Sequence, residues 1–396
     1  MAPGLTAAGL ACGVLIAFVN YTFPPGETDA RSWVAKDPSL GAWPAAVRDA
    51  SGEEVVFVQR FVRDDDFAVD GVRYHFVANG TERDPSPRYL GRPVVEAICR
   101  LRPSVVHVDG MVYPLHVRLL RARLPTAVPI LVQDHGGIHA GSPGFRRVLW
   151  RAGFRFGLAA ADGFLFSERA LAEPWLEAKV IGARHSIYEV MESSTTLADE
   201  APRPDDRPAV GRPAVLWVGR LNANKDPLTI LAGFERAAAE LPEAALTMAF
   251  TEDTLLPDMR RTIESSAVLR GRVHLLGRVE RAALPALYAS ADLFVLGSHH
   301  EGSGYALIEA LAFGVTPIVT DIPSFRSLTR RGEVGVLFPV GDAASLAAAI
   351  RRLAVPDPRR SREAVRAHFE RELSWPALGR RAADIYRQAA GRRERP

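Results

Sequence analysis

Cysteine is almost missing from this chain: Cys12 and Cys99 are the only two among 396 residues. That excludes a disulfide framework and a four-thiolate zinc site, and leaves both thiols as small apolar side chains for a core. Lysine is nearly as scarce. Only Lys36, Lys179 and Lys225 stand among 49 basic residues, the rest being arginine, so each lysine places a compact point charge where the chain otherwise uses a fork. Long apolar runs are absent too. The first 26 residues carry no Asp, Glu, Lys, Arg or His, yet their continuous apolar stretch, Gly13 to Val19, is seven residues long and is closed by Pro24 and Pro25. That is far short of the roughly 20 residues that span a bilayer. With no basic region ahead of it, the stretch is expected to be a buried first strand and not a secretory signal. A cytoplasmic protein with no bound metal is the expectation.

A concentrated basic face is also lacking. The net charge is +3, but the excess lies in residues 351–396, which hold 13 Lys and Arg against 6 Asp and Glu. A basic tail on a near-neutral body is not the basic stripe that nucleic-acid binding requires, so no nucleic-acid partner is expected.

What the sequence does contain is 47% hydrophobic and 24% charged residues, an ordinary globular composition long enough for two domains. Short β-branched apolar runs alternate with longer helical patterns, the signature of parallel sheets wrapped by helices. Strands are expected near 14–20, 55–61, 72–78, 104–109, 128–133, 163–166 and 179–182, with helices near 89–101, 112–123, 145–160 and 168–177. The proline-rich stretch 199–213 breaks the rhythm and is expected to link a first domain, 1–198, to a second, 214–373. In the second, strands are expected near 214–218, 245–250, 272–276, 292–297, 315–320 and 335–338. The fold class is therefore α/β: two Rossmann-like, doubly wound domains in tandem, with ligand crevices at the carboxyl ends of their strands.

Two stretches carry chemistry. In Val218-Gly219-Arg220-Leu221-Asn222-Ala223-Asn224-Lys225-Asp226-Pro227 an apolar strand ends, two cations follow five residues apart, and Pro227 opens a helix where its missing N–H costs nothing. Such a loop can hold two positive charges over an anion. In the segment from Ser298 to Gly314, Gly302 and Gly304 let the backbone approach a ligand just before a helix whose free N–H groups face the cleft. Glu301 and Glu309 flank that helix start, and each carboxylate can accept hydrogen bonds from a vicinal diol of a hexose or ribose. No Asp-x-Asp loop and no His/Cys cluster stands out as a metal site.

Together, VGRLNANKD and EGSGYALIEALAFGVTPIVTD resemble the retaining glycosyltransferases of family 4, which have the two-domain GT-B architecture. The resemblance runs through nearly all of the second domain, including LLGRVERAALPALYASADLFVLGS and LSWPALGRRAADIYRQ. It implies a nucleotide-sugar donor whose ribose is bound by Glu309 and whose sugar lies against Glu301, with Arg220 and Lys225 on the diphosphate. It places the nucleobase near the backbone of Arg278 and Val279, and the amides of Gly302, Ser303, Gly304 and Tyr305 toward phosphate and sugar. It implies metal-independent transfer, no cofactor, and a helix after Trp375 (374–396) crossing back onto the first domain. At the end of a first-domain strand, His135 matches a histidine that the family keeps near the donor sugar.

Two places depart from the family pattern. The loop after the first strand, Phe23-Pro24-Pro25-Gly26-Glu27-Thr28, has one glycine, Gly26, where relatives often have two to contact the donor phosphate. Ile181-Gly182-Ala183-Arg184-His185-Ser186 stands where an Asn-Gly-Val-Asp element is common. The segment 145–156 sets Arg147, Arg151 and Arg155 on one helical face. Packing on the first sheet is its expected role, and peripheral contact with an anionic membrane is the alternative. The acceptor, whether a glycan, a lipid-linked sugar or a small molecule, is not specified. A GT-B epimerase, a phosphorylase or a catalytically silent nucleotide-sugar-binding module are the rival readings.

Overall fold

A computed structural model describes residues 14–79, 88–135, 145–200, 211–354 and 358–393. Eight strands form a first sheet: β1 (Leu15–Asn20), β2 (Glu54–Phe61), β3 (Asp65–Val69), β4 (Val72–Ala78), β5 (Val105–Asp109), β6 (Ile130–Gln133), β7 (Gly163–Phe166) and β8 (Ser186–Glu189), in the order β3-β4-β2-β1-β5-β6-β7-β8. Six form a second: β9 (Ala214–Gly219), β10 (Ala245–Phe250), β11 (Val273–Gly277), β12 (Leu293–Leu296), β13 (Thr316–Thr320) and β14 (Val336–Phe338), in the order β11-β10-β9-β12-β13-β14. The central strands are apolar on both faces because helices cover both, as parallel sheets require. The charge-free N-terminal run accordingly becomes β1, paired in parallel with β2 and β5.

The first sheet is not wholly parallel. β3 pairs antiparallel with β4 through a tight turn in which Asp70 (φ 48°) and Gly71 (φ 75°) both take positive φ, the conformation that Asp-Gly supplies in two-residue hairpins. The strand expected at 179–182 is instead the end of the helix Glu173–Glu177. Lys179 is left-handed (φ 54°) there, and the amides of Val180 and Ile181 donate back to the carbonyl of Trp175. The last strand of that sheet lies a few residues later, at β8.

The helix Trp375–Arg393 leaves the second sheet and docks on the helix Ala42–Ser51 beside the first. A methyl at Gly379 would lie 2.0 Å from the Ala46 carbonyl oxygen, so only glycine admits this approach. The seam is polar at one point. Buried Tyr386 accepts from Trp43 Nε1 (3.0 Å) and donates to His107 Nδ1 (2.5 Å). Burial drives the His107 pKa down to about 4, so it stays neutral as that acceptor. Cys99 is half-buried, and Cys12 lies outside the described residues. No helix of the described residues is long and apolar enough to cross a membrane.

Candidate active site

The carboxyl ends of both sheets face each other, and the domains touch there. The Ser167 hydroxyl donates to the Gly302 carbonyl (3.2 Å), Ser327 donates to the Ser167 carbonyl (3.0 Å), and Gly302 is packed against the His135 backbone. Between them lies a cavity of about 460 Å³, within the range of small-molecule sites.

Its floor comes from the loop after β9. Asn222 accepts from the Lys225 amide (3.2 Å), and Asp226, at φ 43°, caps the helix Pro227–Ala238 through the Thr229 amide (3.3 Å). Asn224 then ties this loop to the one after β12: its side chain donates to the His300 carbonyl (2.9 Å) and accepts from the His300 amide (3.1 Å). The clamp sets Lys225 against Glu301 in a mostly buried ion pair. Gly304, at φ 66°, opens the helix Tyr305–Ala312 where a methyl would lie 2.8 Å from the Phe325 ring. One turn on, buried Glu309 accepts from the Tyr288 hydroxyl (2.8 Å). Burial raises the pKa of that carboxyl and of the Tyr288 phenol.

Of the residues singled out from sequence, His135, Arg220, Lys225, Val279, Glu301, Gly302, Ser303, Gly304, Tyr305 and Glu309 line this one cavity. Arg278 and Gly26 do not. At the bend after β11 Val279 faces the cavity while Arg278 is exposed, and Arg281 joins the wall instead. Gly26 sits at φ 87° in an exposed turn with no atom within 4 Å of a Cβ placed there. Among the described residues, no group of three or more His, Cys, Asp or Glu is gathered as metal ligands would be.

His135 is where the sequence told least. Its Nε2 lies 2.5 Å from Asp109, at the end of β5, and its Nδ1 meets Glu192, just beyond β8. Asn20, at the end of β1, donates to the other Asp109 oxygen (2.7 Å). A carboxylate at each ring nitrogen, one hydrogen-bonded (Asp109) and one in ion-pair contact (Glu192), favours the imidazolium. Burial opposes that charge, but Asp109 and Glu192 outweigh it and hold the His135 pKa well above its ordinary value. Burial likewise opposes the Asp109 carboxylate, and the His135 charge overcomes it and lowers that pKa. The stability that His135 contributes is therefore fully present below its unfolded pKa of about 6.5 and disappears as pH rises through the elevated folded value. Melting curves of wild type and His135→Asn should differ most on the mildly acidic side of neutrality and converge on the alkaline side. A gap that widens with pH would contradict the pairing.

Two facing α/β sheets, a site between their carboxyl ends and a last helix crossing back define the GT-B class of glycosyltransferase folds. The solved structures agree: sucrose-phosphate synthase from Thermosynechococcus elongatus superposes with a TM-score of 0.67 over 96% of this chain and 100% of its own, at 20% identity. Trehalose 6-phosphate synthase from Burkholderia multivorans gives 0.65 over 96% and 97%, at 16% identity.

The sequence comparisons narrow the class. The family model for glycosyl transferases group 1 matches residues 200–367. A GDP-mannose:cellobiosyl-diphosphopolyprenol alpha-mannosyltransferase of Xanthomonas oryzae is 30% identical over 77% of this chain and 79% of its own. The match to a glycogen synthase of Mycobacterium tuberculosis, at 31% identity, spans 48% of this chain and only 45% of that enzyme. This chain belongs to the group 1 glycosyl transferases.

Proposed function

We propose that the protein is a retaining, metal-independent glycosyltransferase that moves a sugar from a nucleotide-diphosphate sugar to an acceptor hydroxyl. The observation that carries this reading is the convergence in one cavity of a buried carboxylate (Glu309), cations (Arg220 and Lys225) and the start of the helix Tyr305–Ala312. A ribose diol donates to Glu309, whose geometry Tyr288 fixes. The diphosphate takes the cations and the amides of Gly302 to Tyr305. As the bond from the anomeric carbon to phosphate breaks, its electron pair goes to the diphosphate, and fixed cations stabilise that charge in place of a divalent ion. The acceptor oxygen bonds to the same face of that carbon. Its proton passes to a phosphate oxygen of the leaving group, so no covalent nucleophile on the protein is needed.

The test is calorimetry of UDP-, GDP-, ADP- and dTDP-sugars with EDTA throughout, GDP-mannose included because the Xanthomonas relative carries it in its name. One donor should bind, and Glu309→Ala should weaken it roughly 10- to 100-fold, the worth of hydrogen bonds to a charged group. Binding of no donor would overturn the donor site and with it the transferase reading, whereas binding without turnover would favour the silent module.

A second observation bears on where the enzyme works. On the helix Phe145–Leu158, Val148, Leu149 and Phe156 are 66%, 57% and 56% exposed, while Phe154 is buried and stacks on Trp150. Arg151 and Arg155 lie on the same helix, and Arg118 covers the Phe156 ring at 4.6 Å. The Arg147 side chain lies outside the described ones. An exposed apolar face among arginines suits peripheral contact with an anionic bilayer. Vesicles rich in phosphatidylglycerol should sediment the wild type but not Leu149→Asp/Phe156→Asp. A wild type left in the supernatant would sink this placement.

A further inference from the structure

Next to the donor cavity, and sharing His135 and Tyr305 with it, is a second cavity of about 200 Å³ on the first-domain side. It is under half the volume of its neighbour and below the roughly 300–1,000 Å³ of ordinary ligand sites. It has room for one ring and not for a chain of them.

Its wall combines three features. Trp43, Phe57 and Trp375 supply flat apolar surface, and Trp43 is held in place by its hydrogen bond to Tyr386. Ser194 is 2% exposed and its hydroxyl has no hydrogen-bond partner, a cost in a buried position unless a ligand completes it. Asp109 and Glu192 complete the wall, both turned on His135. No Lys or Arg is among the described residues that line it. The cations stand on the donor side instead, where Arg220, Lys225 and Arg281 line the larger cavity.

We infer that the reacting unit of the acceptor is a single uncharged sugar ring, and that phosphorylated or otherwise anionic rings are excluded. The inference rests on the glycosyltransferase reading for the word acceptor, while the ring preference stands on the cavity alone. A pyranose presents an apolar face to the indoles and hydroxyls to the carboxylates, which only accept, and to the Ser194 hydroxyl, which does both. A phosphate in the same space would meet two carboxylates, with one imidazolium already committed to them. Desolvating an anion there without a cation of its own is strongly unfavourable.

The experiment measures ring binding without turnover. Methyl α-mannoside, α-glucoside and α-galactoside, and the 6-phosphate of each parent sugar, are titrated by saturation-transfer NMR and tryptophan fluorescence, with each nucleoside diphosphate present. At least one neutral ring should bind ten-fold or more tightly than its phosphate. Glu192→Gln should narrow that ratio, and Ser194→Ala should weaken the neutral ring while leaving the ratio wide. A phosphate that binds as well as its neutral partner, or the failure of every neutral ring to bind, would overturn the inference. Donor calorimetry on the same preparation separates the two readings. Ring preference with no donor binding would refute the transferase and keep the ring site.

Discussion

Lys225→Ala is expected to lower turnover by roughly 100-fold or more, the size of effect seen when one fixed donor to a developing charge is removed. Two physical losses add. The Lys225 side chain is only 12% exposed, so its attraction for the diphosphate leaving group of the proposed reaction is weakly screened. Its removal also leaves Glu301 without its partner, facing the incoming phosphates with a bare charge. The loss should therefore fall on kcat at saturating donor, and Lys225→Arg should recover only part of it because a fork does not reproduce a point charge clamped by Asn224. Removing Glu301 as well should cost less than the sum of the two single losses, since the pair is in direct contact. Single-turnover kinetics decide the matter: an undiminished chemical step in Lys225→Ala would end the role assigned to it.

Gly302→Ala should cost about as much while barely changing the melting temperature. The added methyl would lie 2.7 Å from the His135 carbonyl oxygen and 3.4 Å from its carbon. Main chain cannot swing aside as a flexible side chain can, so either the loop or the facing domain must move. That loop carries Glu301 on one side and the start of the helix Tyr305–Ala312 on the other. Displacing reacting groups by about 1 Å is enough for roughly a 100-fold loss. Donor affinity, if Glu309 deeper in the second domain holds the ribose as proposed, should change far less. Normal kcat in this variant would show that the domain contact at Gly302 is irrelevant to the chemistry.

The larger cavity was legible because its groups are local in sequence. Arg220 and Lys225 share one strand-to-helix loop, and Glu301 and Glu309 bracket one helix start, so spacing sets each pair together, while the family resemblance joined the two pairs and the β9–β12 pairing places them in one cavity. Asp109 and Glu192 were not singled out, although Val105–Asp109 visibly ends an apolar strand in a carboxylate. Only strand order sets them on either side of His135. The helix Ala42–Ser51, which brings Trp43 to the smaller cavity, has no side-chain cap at its start and gave no beginning to find. The hairpin of β3 and β4 turns at Asp70-Gly71 but was not expected, because β3 is short and exposed, without the continuous apolar run that marks the central strands. Val180 and Ile181 misled for the opposite reason. They are apolar, β-branched and buried, yet they anchor a helix end.

The docking of Trp375–Arg393 beside Ala42–Ser51 means that the chain passes between the two sheets twice, once from β8 to β9 and again just before Trp375. One crossing would act as a ball joint. Two crossings define a line, so each half can turn about that axis as a door turns on two pins, with little freedom to twist across it. Any opening of the cleft would then part Gly302 from His135 and bring them back in the same register on every cycle, without a search for alignment at each closure.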